Sequence, residues 1–276
     1  MGKVENGHNI KIEANMKAMK YFLILFLTVI LINCNSNKVV YGKWETIFNG
    51  KDLTGWTPKF TGEEYGVNYK NTFRVENGKI VASYDNYDIF DNNFGHLFYK
   101  EKLSHFKLKV DYRFVGEQLA GGPFWAYRNS GIKYHSQPPQ NLPKNQQLLV
   151  AIEAQMLGGN GADERPTGNV CTAGTHIVMD GELITEHCTG SSSKTYHGDQ
   201  WVTMEIEVHG NGRVIHRVNG EKVLAYEKPQ LDDTDPYAKE LLDAGTPRLL
   251  SEGYIALQAE SHRVEFCNIQ LMRLKK

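Results

Sequence analysis

The sequence predicts an all-β fold, a sandwich or barrel of antiparallel strands, and three observations carry that expectation. Apolar and polar residues alternate with period two through Phe106–Phe114, Trp201–Val208, Val214–Val218 and Tyr254–Gln258, as half-buried strands require. Asn77-Gly78, Asp180-Gly181, Asn211-Gly212 and Asn219-Gly220 punctuate the chain; both positions of such a pair tolerate positive φ, so they favour tight hairpins. Helix signals are confined to one place, where Asp235-Pro236 supplies a cap and first turn, Tyr237 to Asp243 the body, and Gly245 the stop. Many short strands with regular turns and one helix argue for stacked or closed sheets. No internal repeat and no second domain is evident.

The N-terminus bears on compartment. Lys17 and Lys20 precede the apolar run Tyr21–Ile32, which ends in Leu31-Ile32-Asn33-Cys34 before a polar stretch. At about a dozen residues the run falls short of the roughly 20 that a spanning helix needs. The order of basic, apolar and Cys segments looks like a bacterial lipoprotein signal. The expected division is an upstream and signal segment over 1–33, a lipidated Cys34 with its tether over 34–43, and one domain over 44–276. Residues 1–15 match no part of a signal, which leaves Met1, Met16 and Met19 as alternative starts. The expected location is the cell envelope of a Gram-negative-type bacterium, with the membrane touched through the lipid anchor only.

A formal net charge of −1 gives no reason to expect nucleic acid or an anionic membrane surface as partner. Beyond Cys34 the cysteines are Cys171, Cys188 and Cys267. An oxidising envelope permits disulfides; Cys171 and Cys188 flank an apparent hairpin and so could pair, leaving Cys267 as a buried free thiol. No CxxC pattern points to zinc or redox chemistry.

Candidate site residues fall on two strands. Over Leu148–Met156 the alternation sends Val150, Ile152, Ala154 and Met156 to the core, and Ala151, Glu153 and Gln155 to the opposite face. Over Arg128–His135 it turns Ile132 and Tyr134 inward and Asn129, Gly131, Lys133 and His135 outward. Trp125 and Tyr127, just upstream, offer rings on which sugars stack. An exposed Glu153–Lys133 ion pair would account for two of these residues alone; the whole collection suits a sugar-binding face better. The Pro-rich stretch 137–147 and the Gly/Asp/Asn-rich stretch 158–169 are long enough to frame a site. His176, His187 and His197 lie along or after the Asp180-Gly181 turn, with His176 and His197 as further binding candidates.

The chain resembles the 3-keto-disaccharide hydrolase (DUF1080) family. The matching stretches are Phe48–Trp56, Asn129–Ile132, Glu153–Leu157, Tyr196–Trp201, His216–Gly220, Gly253–Gln258 and Val264–Ile269. They run in the family's order from Trp44 to Leu274. Two positions depart from it: Lys133-Tyr134-His135 stands where the family often has an aromatic then Arg, and Gly158 where it often has Asp.

The resemblance implies a concanavalin A-like jelly roll of two curved antiparallel sheets, with the ligand on the concave one. It also implies cleavage of a glycoside already oxidised at C3, and hence a functional link to a sugar 3-dehydrogenase. A ketone at C3 acidifies the C2 hydrogen; a base removes it, the C1 substituent leaves, and water adds back. For that chemistry Glu153 or His135 is the expected base, and Lys133, Asn129 or Gln155 the oxyanion stabiliser. A divalent metal is the alternative stabiliser, with His135, Glu153 and His176 as its ligands, although no HxH or HExxH spacing supports it. Three other readings remain: a retaining glycosidase, a non-catalytic sugar-binding module, and a structural envelope lipoprotein. The first suffers from Gln155 standing where a family-16-like glucanase carries Asp.

Overall fold

The computed structural model describes residues 41–276, so the Cys34 lipidation site and the apolar run before it lie outside the described residues. Two antiparallel sheets stack face to face. The smaller, seven-stranded sheet is ordered β12 (Cys188–Thr189), β9 (Val170–Ala173), β8 (Ala151–Leu157), β7 (Asn129–Ser136), β16 (Gly253–Ala259), β5 (Gly95–Leu103) and β2 (Trp56–Phe60). The ten-stranded sheet begins at one edge with β11 (Glu182–Ile184), β10 (Thr175–Met179), β15 (Glu221–Leu231) and β14 (Arg213–Val218). It continues through β13 (Val202–His209), β6 (His105–Gln118), β17 (His262–Arg273), β4 (Lys79–Ala82) and β3 (Phe73–Glu76), with β1 (Trp44–Thr46) beside β17. This is the jelly-roll sandwich expected above.

The alternation read from the sequence places the core between the sheets. In β6 every second residue from Phe106 to Phe114 is buried, and these meet Ile132, Tyr134, Ile152, Ala154 and Met156 of the smaller sheet in one cluster. A polar chain crosses this core with its partners satisfied: His216 Nδ1 lies 2.9 Å from the Gly168 carbonyl, His216 Nε2 2.8 Å from Tyr226 Oη, and Tyr226 bonds Tyr134. Buried polar groups persist only when paired in this way.

The four Asn-Gly and Asp-Gly pairs singled out above sit at hairpin turns between sequence-adjacent strands. Helix α1 (Pro236–Asp243) starts on Asp235, whose side chain accepts the Ala238 N–H at 2.9 Å, and Gly245 beyond its end has φ +89°. Val150 departs from expectation: β8 begins at Ala151, and Val150 packs beside the helix with Leu231, Ala238 and Leu250 instead of joining the central core.

The chain passes from β9 in the small sheet to β10 in the large one at Gly174, where φ is +61° and an added Cβ would stand 2.9 Å from Asp235 Oδ1. After the β10–β11 hairpin it returns as β12 to pair with β9, and there Cys171 and Cys188 form a disulfide across the two strands. Cys267 is free and half-buried, with burial pushing its thiol pKa up. The disulfide closes a segment with a sequence separation of 17, for which chain entropy gives about 3 kcal/mol. Replacing both cysteines with serine is expected to lower stability by about that amount, read from denaturant unfolding at fixed m-value.

Segment 137–150 folds over part of the smaller sheet's outer face. Leu142 and Leu149 cover Phe98, Ala151 and Ala256 in a second apolar cluster. The rest of that face stays open, and the polar residues of β7, β8 and β16 lie there.

Candidate functional site

Register sets which side chains meet on that open face. One row across the smaller sheet runs Phe98, Ala256, Lys133, Glu153, Cys171, Cys188, each residue opposite the next. In the adjoining row His96 stands opposite Gln258, and Gly131 opposite Gln155. Continuing with period two brings Asn129 and Glu260 to the same side.

Glu153 and Lys133 form an ion pair, 5% and 3% exposed. The surface pair considered from the sequence is therefore a buried one, in which neither side chain can be truncated without stranding the other. Gly131 makes room for it: a Cβ at this position would fall 2.4 Å from Glu153 Oε1. Gly131→Ala is expected to push the carboxylate aside, costing about 1–3 kcal/mol of stability as overpacking does. Calorimetric unfolding checks this.

Glu260, which sequence reasoning missed, is 3% exposed. Gln258 Nε2 donates to its Oε1, while its Oε2 has no hydrogen-bond partner among the described residues. Burial first, and the neighbouring Glu153 carboxylate second, push its pKa up to about 8. It is thus a neutral acid near neutral pH. Two carboxyls in one cavity, one ion-paired and one held neutral, are the arrangement by which a site separates base from acid. His96 is also buried, its Nε2 without a partner among the described residues, and burial with the Lys133 and Lys59 charges depresses its pKa well below the usual imidazole value.

Lys133, Glu153, Gln258, Glu260, Asn129 and Gln155 line a cavity of about 330 Å³. A chain of amides holds two of them: Asn169 Nδ2 donates to Gln155 Oε1 at 2.9 Å, Gln155 Nε2 to Asn129 Oδ1 at 3.3 Å, and Asn129 Nδ2 to the Trp125 carbonyl at 3.2 Å. Across Trp125 and Gln155 lies a second cavity of about 580 Å³, walled by Phe124, Tyr127 and Arg165. Trp125 stacks on Phe94, centroids 5.8 Å apart and planes at 12°, yet is 43% exposed; Phe124 is 90% exposed. Arg165 ties this wall together by donating to the Gly158 and Tyr127 carbonyls at 2.6 and 2.8 Å. Tyr127 also packs edge-on against His262 at 5.1 Å. The second long stretch flagged in the sequence borders the groove through Asn160, Asp163 and Arg165, and Leu148, just past the first, borders it too.

Three of the histidine candidates lie off the cavity, and His135 leaves the face that alternation assigned it. His135 falls on a register irregularity with φ +50°, which turns it off the cavity. Its Nε2 lies 2.9 Å from the Gly210 carbonyl in the β13–β14 turn, and burial lowers its pKa to about 4. His176 is in the ten-stranded sheet with Nε2 3.3 Å from Asp232 Oδ1. His197 accepts the Gly161 N–H at 3.0 Å and braces the 158–169 loop. The metal set His135, Glu153, His176 is thus dispersed over both sheets, and among the described residues no three His, Cys, Asp or Glu side chains converge as ligands. His187 is the histidine that does reach the cavity wall. Its Nδ1 stands 2.6 Å from the Thr172 carbonyl, a contact only a protonated Nδ1 can make, so in the neutral ring Nε2 keeps its lone pair.

A two-sheet jelly roll with an acid–amide cavity on one sheet, and exposed aromatic rings in the helical turn beside it, is a lectin- and glucanase-type architecture. The chain belongs to the 3-keto-α-glucoside-1,2-lyase-like domain family, whose model matches residues 43–272. In fold it is similar to a candidate glycosyl hydrolase of Parabacteroides distasonis ATCC 8503, with a TM-score of 0.50 at 16% identity over 84% of this chain and 100% of that one. A second from the same organism gives 0.48 at 21% identity over 84% and 94%, and a carbohydrate-binding module of Bacillus subtilis 0.42 at 11% over 79% and 95%. No curated protein matches the chain.

Proposed function

We propose that this protein cleaves 3-keto-glycosides by elimination and hydration in the cavity of Glu153 and Glu260. The carrying observation is the buried pair of carboxyls in different states, Glu153 against Lys133 and Glu260 kept neutral. Glu153 takes the C2 proton, and the electron pair moves onto the C3 oxygen as an enolate. Lys133 and the amides of Gln258, Asn129 and Gln155 stabilise that oxygen. The enolate collapses to a C1=C2 double bond as the C1–O bond breaks, and Glu260 gives its proton to the departing oxygen. Water then adds across the double bond: its hydroxyl goes to C1, its proton restores Glu260, and Glu153 returns a proton to C2. The sum is hydrolysis, with both carboxyls regenerated. Electrostatic positioning of this kind and general acid–base transfer are the two contributions a static site can supply.

The test is aglycone release from a 3-keto-glucoside and from its unoxidised parent. Release from the keto form only is expected. Release from the parent at equal rate would instead indicate a conventional glycosidase. Sugar binding without release from either would leave a lectin-like role, the reading favoured by the exposed Phe124 and Trp125 rings. Export and anchoring through Cys34 belong to the same proposal, supported by the Cys171–Cys188 disulfide; loss of membrane association in Cys34→Ala tests them. A sugar 3-dehydrogenase acting upstream would supply the substrate.

A further inference from the structure

The groove does not end at the acid cavity. Leu148 and His187, on its wall away from Trp125, also line a third cavity of about 440 Å³, whose other walls include Asn145, Gln147, Thr172 and Tyr237. The three cavities therefore lie side by side, aromatic, acidic and amide-lined in turn, each sharing wall residues with the next. A groove serving a disaccharide needs room for two rings; this one has space on both sides of the reacting unit.

We infer that the cavity beyond His187 is a third sugar subsite, so that the protein takes an oligosaccharide with its oxidised ring in the middle. This rests on the reading of the acid cavity as the site of cleavage. The chemistry of the wall fits a pyranose. Asn145 and Gln147 each offer an amide donor and acceptor, Tyr237 is 36% exposed on helix α1, and hydroxyl-rich rings are held by such amide pairs beside an aromatic ring. At the boundary Nδ1 of His187 is committed to the Thr172 carbonyl at 2.6 Å, so in the neutral ring Nε2 is the acceptor. An acceptor there suits a sugar hydroxyl bridging two subsites. The partition is fixed covalently: His187 precedes Cys188, whose disulfide to Cys171 holds β12 against β9. Elimination at C1 leaves C4 and C6 of the oxidised ring free to carry further sugar, so an internal keto unit is compatible with the reaction.

The experiment compares KM for a 3-keto-disaccharide with KM for two trisaccharides, made by adding one glucose at either end. Extension on the oxidised ring's own C4 or C6 is expected to lower KM fivefold or more; a gain only from extension at the leaving-group end overturns the central placement of that ring. Tyr237→Ala, at a half-exposed helix position, should bring the ratio of the two KM values toward one. Asn145→Ala, in the covering loop, should act in the same direction and serves if the first variant folds poorly. Equal KM for all three substrates in the wild type overturns the subsite. If no keto-sugar is turned over, the elimination reading fails by itself, and calorimetric titration with the same di- and trisaccharides decides. Tighter binding of a trisaccharide, weakened by Tyr237→Ala, supports the subsite; equal binding or none overturns it.

Discussion

Glu153→Gln is expected to slow aglycone release from a 3-keto-glucoside by about 10²- to 10⁴-fold, the range for loss of a positioned general base. Two effects compete in this variant. Removing one member of a buried ion pair can cost about 3–5 kcal/mol, and Lys133 is only 3% exposed. Glutamine, however, keeps an oxygen that accepts from Lys133 Nζ, so the ammonium retains a partner and most of the fold's stability survives. Activity should therefore collapse while thermal unfolding shifts modestly. A loss of activity that merely tracks loss of folded protein would contradict the catalytic role, and circular dichroism on the same sample separates the two.

Glu260→Gln carries the second large effect, and its signature is in pH. The acid form of Glu260 is held by burial and by the Glu153 carboxylate, with its pKa pushed from 4.5 to about 8. If that proton goes to the leaving oxygen, wild-type turnover falls as pH rises through about 8. In Glu260→Gln that alkaline limb disappears along with most of the rate, and substrates with better leaving groups should recover part of it. Stability supplies an independent reading. A pKa higher in the folded than in the unfolded chain gives a contribution fully present below about 4.5, which is lost as pH rises through about 8. Relative to Glu260→Gln, the wild type should lose unfolding free energy across that window. A pH-stability curve parallel to that of the variant would mean Glu260 ionises normally.

The architecture was readable from local chemistry because local chemistry determines it. Asn and Gly at 77–78 and 219–220, and Asp180-Gly181, mark hairpins with both residues at positive φ, whereas in the turn at 211–212 the positive φ falls on Gly210. Asp235 marks the helix start through its side-chain acceptor. The alternation over β8 placed Glu153 and Gln155 on one face, and register with β7 then set Lys133 opposite Glu153. The errors come from places where the period breaks. A register irregularity between Tyr254 and Ala256 on β16, with His135 at φ +50° on β7, removes His135 from the face that simple alternation assigned it. Val150 lies one residue before β8 begins. Glu260 was in fact legible: Ala256, Gln258 and Glu260 share the period, and extending the strand two residues past Gln258 would have found it. His187 was not, since only the return of β12 to β9 through the disulfide brings it to the groove. The third cavity likewise needs helix α1 and the 137–147 stretch to meet in space.

The central claim is that the C2 proton leaves the sugar during cleavage. Run the reaction on a 3-keto-glucoside in heavy water and locate deuterium in the released 3-keto-sugar by NMR, against a control without enzyme. Elimination and hydration predict deuterium at C2, put there by a group that exchanges its proton with solvent between the two steps. Full retention of protium at C2, together with no primary isotope effect on release from the C2-deuterated substrate, would contradict the account and point to direct displacement at C1.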